Sequence, residues 1–311
     1  MEIYLSSWSV RDVLQSRQLN YSSLPSYARE RGFSGIELFD RFFESVDDGY
    51  MRELRDALTS ARCKVVVAIS SDLTMPRLSE SGIRQFDHVM RFLKVCRELG
   101  GTVVRVSTGG QGLSVQKVVD WLGSHPLPGQ REMIWQQRFA TRVLSSPVAV
   151  QVMSHLKPSP QHDLGRTTLQ KVERCIATLR ELRPILDELD LQIAIENHWG
   201  ISTDPAMLID IVRRCESERI GTCPDFGNFH PTQDRYEGLE LLALFAKHVH
   251  AKCSSFNAAG EESRIDYQRC LSILNEANYD GSFSVEFEGI VEAEVAIRQA
   301  RELIERHWHK P

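Results

Sequence analysis

The chain has 311 residues, 42% of them hydrophobic and 25% charged, which is ordinary soluble-protein composition with ample material for a large core. A formal net charge of −5 argues against global attraction to nucleic acid or an anionic membrane. No apolar run approaches the ~20 residues of a bilayer span, and Met1-Glu-Ile-Tyr-Leu-Ser lacks a basic stretch leading into an apolar one, so a cytoplasmic protein without a membrane partner is expected.

Short apolar runs alternate with longer stretches of helical period from end to end, the pattern of parallel α/β proteins. Strands are predicted near 2–6, 34–39, 64–70, 102–107, 191–197, 220–225, 247–252 and 282–287, which is the number a closed (β/α)8 barrel needs. Between the third and fourth, apolar residues at 86, 89, 90, 93, 96 and 99 mark a helix that Gly100-Gly101 stops. The stretch 167–189 reads as another helix, with Pro184 expected to break or kink it. Asp204-Pro205 supplies an N-cap and a first-turn proline for a helix over 204–214, and Phe245-Ala-Lys247 is expected to end the helix before the seventh strand.

The region from about 110 to 165 breaks this rhythm. It carries Gly109-Gly110, Gly112, prolines 126, 128, 147, 158 and 160, Trp121, Trp135, His125, His155 and His162. It reads as a long insertion after the fourth strand of a single barrel spanning 1–311, serving as a lid, a decoration or an oligomer contact. Whether the protein is a homo-oligomer is open. The seven cysteines (63, 96, 175, 215, 223, 253 and 270) are odd in number, scattered and free of Cys-x-x-Cys pairs, so reduced thiols are expected.

Four predicted strands end on a metal-ligating residue type: Glu196 in Ile-Ala-Ile-Glu, Asp225 in Thr-Cys-Pro-Asp, His250 in His-Val-His and Glu286 in Phe-Ser-Val-Glu. Their intervals of 29, 25 and 36 residues each suit a strand, a helix and two loops. Alternation along the strands supports a shared destination. Ile193 and Ile195, Val249 and Ala251, and Phe283 and Val285 belong against helices, which turns Glu196, His250 and Glu286 to the barrel axis, and Cys223 and Asp225 share parity in the sixth strand. Asn197 falls outward and is expected to be structural. Three carboxylates and one imidazole make a plausible shell for one hard or borderline divalent cation.

At these residues the chain resembles the xylose-isomerase-like TIM-barrel superfamily, in particular its sugar phosphate isomerase/epimerase group, which includes ketose 3-epimerases, hydroxypyruvate isomerases and inosose dehydratases. The likeness covers most of the chain and is clearest in Gly32-Phe-Ser-Gly-Ile-Glu-Leu38, Ile195-Glu-Asn-His-Trp-Gly200, Pro224-Asp-Phe-Gly-Asn228, His248-Val-His-Ala-Lys252 and Tyr279-Asp-Gly-Ser-Phe-Ser-Val-Glu286. It implies that Glu196, Asp225, His250 and Glu286 bind the metal. It also implies that Glu37, His198, Asn228 and Lys252 line the substrate pocket, Asn228 standing where the epimerases often have histidine.

A bound ion would polarise a substrate carbonyl and stabilise the enediolate formed when an adjacent proton leaves. Glu196 and Glu286, on separated strands, are the expected acid/base pair on opposite faces of the substrate. The expected function is a divalent-metal-dependent isomerase or epimerase of a small carbohydrate (ketose, inosose or keto-sugar), with one ion, manganese preferred and magnesium, cobalt or zinc as alternatives. A lyase or dehydratase on a related keto-polyol or 3-keto-glycoside shares the first step. An endonuclease IV-like phosphoesterase and a non-catalytic sugar-binding barrel are the remaining alternatives. Ser254-Ser255, after the seventh strand, is a candidate anion site.

Overall fold

A computed structural model describes residues 1–109, 161–230, 232–289 and 292–308, with side chains of the fourth inter-strand helix described from 167 onward. Most of the expected 110–165 insertion therefore lies outside the described residues, as do its predicted roles. Contacts divide the chain into Met1–Gly109 with Lys171–Pro311, and Gly110–Gln170. The first unit carries all eight strands.

These are β1 (Glu2–Ser6), β2 (Gly35–Phe39), β3 (Lys64–Ile69), β4 (Val103–Val106), β5 (Gln192–Glu196), β6 (Ile220–Cys223), β7 (Val249–Cys253) and β8 (Ser282–Phe287). They form one sheet in the order β6-β5-β4-β3-β2-β1-β8-β7, with every ladder parallel. The fold is the expected TIM barrel. Its closing seam, β6 against β7, is reduced to isolated bridges, Thr222 with Ala246 and Asp225 with His250. Pro224 accounts for part of this, because it has no N–H to donate and ends β6, while its carbonyl still accepts from His250 N at 2.9 Å.

Among the described residues the α-helices are α1 (Arg11–Gln15), α2 (Leu24–Glu30), α3 (Asp48–Ser60), α4 (Glu80–Glu98), α5 (Gln161–Leu189), α6 (Pro205–Arg214), α7 (Arg235–Ala243), α8 (Tyr267–Glu276) and α9 (Ala293–His307). Among the described residues none is long and apolar enough to cross a membrane. Asp204 caps α6 as expected, accepting from Ala206 N and Met207 N. Of the break or kink expected at Pro184 the break is ruled out, and one helix end is corrected. Pro184 sits inside α5 without ending it. Phe245 and Ala246 do not extend α7; they belong to the barrel seam, where Thr222 N donates to the Phe245 carbonyl at 2.9 Å.

Six helices return to the sheet through a residue with positive φ: Gly32 (82°), Arg62 (49°), Gly100 (82°), Asp190 (50°), Glu216 (50°) and Asn278 (57°). A left-handed residue there lets the next N–H groups satisfy the last helical carbonyls, so the chain can turn straight into a strand.

Alternation then sorts the strand residues. Ile3, Leu5, Ile36, Leu38, Val65, Val67, Ile69, Val104, Val106, Ile193, Ile195, Val249, Phe283 and Val285 join the apolar layer between sheet and helices. The opposite parity carries a buried polar set to the barrel interior: Ser6, Glu37, Arg105, Glu196, His248, His250, Lys252, Ser282, Ser284 and Glu286. All seven cysteines are buried and unpaired.

Candidate metal centre

Glu196 ends β5, Asp225 follows Pro224 past the end of β6, His250 is the second residue of β7 and Glu286 the fifth of β8. One potential ligand atom from each lies within 4.8 Å of all the others. His250 Nδ1 is 3.2 Å from Glu196 Oε1, 3.2 Å from Glu286 Oε2 and 3.7 Å from Asp225 Oδ2. All four residues are buried.

Two of the converging atoms suit a cation. Asp225 Oδ2 and His250 Nδ1 are buried and have no hydrogen-bond partner among the described residues, and each such atom left unpaired costs ~1–3 kcal/mol. The charges point the same way. Around the site four buried carboxylates, Glu37, Glu196, Asp225 and Glu286, face two buried cations, Arg105 and Lys252. With all four carboxylates ionised and His250 neutral, the protonation states metal ligands require, the deficit is two positive charges, which one divalent ion supplies.

The polar residues behind these atoms fix their orientation. His250 Nε2 donates to Glu37 Oε2 at 2.7 Å, leaving Nδ1 to face the carboxylates. Glu37 is also held by Ser6 Oγ at 3.0 Å, and His248 Nε2 lies 3.3 Å from it. His248 is itself braced by Ser282 Oγ at 3.0 Å and Ser284 Oγ at 2.7 Å. Glu37 is thus engaged behind the imidazole.

Asn197 clamps the next ligand. Its Oδ1 accepts from Asp225 N at 2.6 Å and its Nδ2 donates to the Asp225 carbonyl at 3.1 Å, across the β5–β6 boundary. Asp225 Oδ1 accepts from Gly227 N at 2.7 Å and Asn228 N at 3.0 Å, so Oδ2 is the oxygen left facing the centre. Asn228 Nδ2 donates to Glu196 Oε1 at 3.2 Å. Lys252 Nζ reaches Glu286 Oε2 at 3.2 Å and Glu288 Oε2 at 3.0 Å. His198 is half-buried against Trp199, with ring centroids 4.9 Å apart.

In the metal-free protein, burial pushes the Asp225 carboxyl up to about 7, against the attraction of Lys252 and His250. Burial also opposes ionisation of Glu196, but Arg105, His198 and His250 outweigh it and hold that carboxyl at about 2. The His198 imidazole is pushed below its ordinary value by burial.

Three residues of this region escaped the sequence reading. Arg105 on β4 places Nη1 3.4 Å from Glu196 Oε2; its signal was a lone charge at the interior parity of a valine run. Glu288 accepts from Trp8 Nε1 at 2.7 Å, tying the loop after β1 to the end of β8. Glu262 accepts from Ser254 N at 3.1 Å, Ser254 Oγ at 2.9 Å and Ser255 N at 3.3 Å. The Ser254-Ser255 anion site is therefore already filled by a carboxylate of the chain itself.

An eight-stranded parallel barrel with a buried carboxylate–imidazole cluster at the carboxyl ends of its strands defines the class. The chain belongs to the xylose isomerase-like TIM barrel family, whose model matches residues 25–307. Among solved structures, it is similar to a D-psicose 3-epimerase from Clostridium cellulolyticum H10 crystallised with D-tagatose, at 10% identity and TM-score 0.68, covering 99% of this chain and 100% of that one. It is similar to a 3-keto-D-glucoside 4-epimerase from E. coli at 13% identity and TM-score 0.65, covering 98% and 99%. A third, the IOLI protein with a bound zinc atom, has 15% identity and TM-score 0.66, covering 99% and 98%. No curated protein matches the chain by sequence.

Proposed function

We propose that the protein is a divalent-metal-dependent isomerase or epimerase of a small carbohydrate bearing a ketone: a ketose, an inosose or a keto-sugar. The observation that carries this reading is the convergence of Glu196, Asp225, His250 and Glu286, with Asp225 Oδ2 and His250 Nδ1 left without hydrogen bonds among them. Relatives named as sugar 3- and 4-epimerases on the same barrel support it.

Glu196, Asp225, His250 and Glu286 would hold the ion, which when bound supplies Lewis-acid polarisation of a substrate carbonyl. Manganese is our first choice for an oxygen-rich set with one imidazole, ahead of zinc, magnesium and cobalt. Glu196 is the base: Oε2 has no hydrogen-bond partner, and the carboxyl is held ionised at neutral pH. It takes the proton from the carbon next to the carbonyl. Glu286, across the mouth on β8, delivers a proton to the other face, drawn from the Lys252 ammonium that donates to it at 3.2 Å and replaced from solvent, while Glu196 gives its proton up to solvent; delivery to the opposite face inverts configuration. His198, Asn228 and Lys252 border the space where the sugar hydroxyls would lie, while Glu37 acts on His250.

A dehydratase would begin with the same proton abstraction. A phosphoesterase of the endonuclease IV kind needs several metals. Among the described residues the two groups able to hold a metal share His250, and neither adds a separate cluster.

Solvent-deuterium exchange tests the reading. Manganese-loaded protein incubated in D2O with a panel of ketoses, inososes and 3-keto-glycosides should place label on the carbon beside the ketone, and chelator-stripped protein should not. Label accompanied by loss of water would identify the dehydratase. Metal-loaded protein that labels no member of the panel contradicts the proposal.

A further inference from the structure

Arg105 is a buried cation whose side chain donates no hydrogen bond among the described residues, placed beside the oxygen assigned as the base. β4 reads Val-Val-Arg-Val; Val104 and Val106 are fully buried in the apolar layer, so alternation sends Arg105 inward. Its registered neighbours are Ala68 on β3 and Ala194 on β5, two methyl side chains that leave lateral room for a guanidinium inside the barrel. The residue is 8% exposed and its guanidinium carbon lies 5.6 Å from the centre of the Phe39 ring.

A guanidinium carries five N–H donors in a planar fork and is not deprotonated in proteins. That of Arg105 contacts Glu196 Oε2 at 3.4 Å as an ion pair, and its Nε is buried without any partner. The facing Glu196 Oε2 accepts no hydrogen bond among the described residues and meets Arg105 only through that ion pair. Buried polar groups in native proteins are ordinarily hydrogen-bonded, so a donor fork and an acceptor left open side by side mark the place of a ligand that offers an oxygen to one and a proton to the other. An α-hydroxy ketone offers both.

Building on the enolising reading above, we propose that Arg105 is a catalytic residue that binds the oxygen on which negative charge develops. Glu196 Oε2 takes the proton from the carbon adjacent to the ketone. The C–H electron pair becomes the new C=C bond, and the carbonyl π pair moves onto oxygen. Arg105 donates to that oxyanion, and its fork can span the neighbouring hydroxyl oxygen, which favours a cis-enediolate. When the carbon is reprotonated the pair returns to the carbonyl, so no oxidant or reductant is consumed. A donor aimed where charge appears acts on the rate more than on ground-state binding.

The test compares R105K, which keeps the charge without the fork, with R105M and R105A, which keep neither. Exchange kinetics are read beside manganese stoichiometry and the melting transition. The expected result is exchange slowed about 100-fold or more in all three, KM within about fivefold of wild type, one manganese per chain retained, and partial rescue of R105A by added guanidinium. R105K exchanging within about threefold of wild type would show that charge alone suffices and would overturn the proposal. Loss of manganese or of a cooperative melt in R105K as well as R105M would assign Arg105 to the scaffold, which also overturns it. Failure of the enolising reading itself is seen separately: wild-type protein would bind manganese yet label no substrate.

Discussion

His250 is held from behind by Glu37: Nε2 of the imidazole lies 2.7 Å from Glu37 Oε2, which turns Nδ1 toward Glu196, Asp225 and Glu286. A carboxylate on the far nitrogen fixes the tautomer and raises the basicity of the near one. Glu37→Gln should therefore weaken manganese binding by roughly 10–100-fold while the protein stays folded. A chelator competition titration measures it, and unchanged affinity in a folded variant would refute this role.

The Asp225 carboxyl, raised to about 7 by burial, must lose its proton before Oδ2 can accept a cation. Below pH 7 the ion competes with that proton, and it also competes with the proton of the His250 imidazole, which, against burial, the neighbouring acidic groups hold well above its ordinary value, so affinity should climb with pH through neutrality and beyond it. Calorimetric titrations at pH 5.5, 6.5 and 7.5 in buffers of different ionisation enthalpy report both affinity and proton release. Flat affinity with no proton released would contradict the assignment.

Glu262 occupies the backbone amides of Ser254 and Ser255 with one oxygen and those of Arg264 and Ile265 with the other, at 2.5 and 2.6 Å. In barrels of this class, the loops after the last two strands are a common place for phosphate. Here the β7 loop is filled from within, so an unphosphorylated sugar should be preferred over its phosphate ester by 10-fold or more in kcat/KM, an order-of-magnitude figure for one lost charged contact. Millimolar inorganic phosphate should not inhibit. Preference for the ester would show that phosphate binds elsewhere.

Arg62 adopts φ of 49° between α3 and β3, a conformation that costs a side-chain-bearing residue about 1 kcal/mol or more. Its side chain is exposed. Arg62→Gly should stabilise the protein by roughly 0.5–1 kcal/mol, the steric gain being partly offset by the greater freedom of glycine in the unfolded chain. Denaturant melts with an unchanged m-value provide the check; destabilisation would mean that Arg62 makes a contact the turn needs.

The strands and the four converging side chains were legible in sequence because each depends on a local signal. Alternation placed Ile193 and Ile195 on one side of β5 and Glu196 on the other, as the apolar layer confirms. What stayed hidden depends on pairs distant in the chain. Nothing near Glu37 announces that its partner is His250, 213 positions away. Arg105 looked like a stray charge until β3 and β5 supplied Ala68 and Ala194 at its level. Asn197 was expected to be structural, and the structure gives that role content: it clamps the backbone of Asp225. Helix ends were less legible where the seam intervened, since Phe245 continues the apolar pattern of α7 but pairs with Thr222.

The most direct test of the account is the number of manganese ions bound per chain, measured by equilibrium dialysis on wild type and on Asp225→Asn and His250→Ala. One ion per chain in wild type, with affinity reduced at least 100-fold in both variants while their melting transitions remain cooperative, is the predicted result. Binding that is absent from wild type, or undiminished when these two residues are changed, would contradict it.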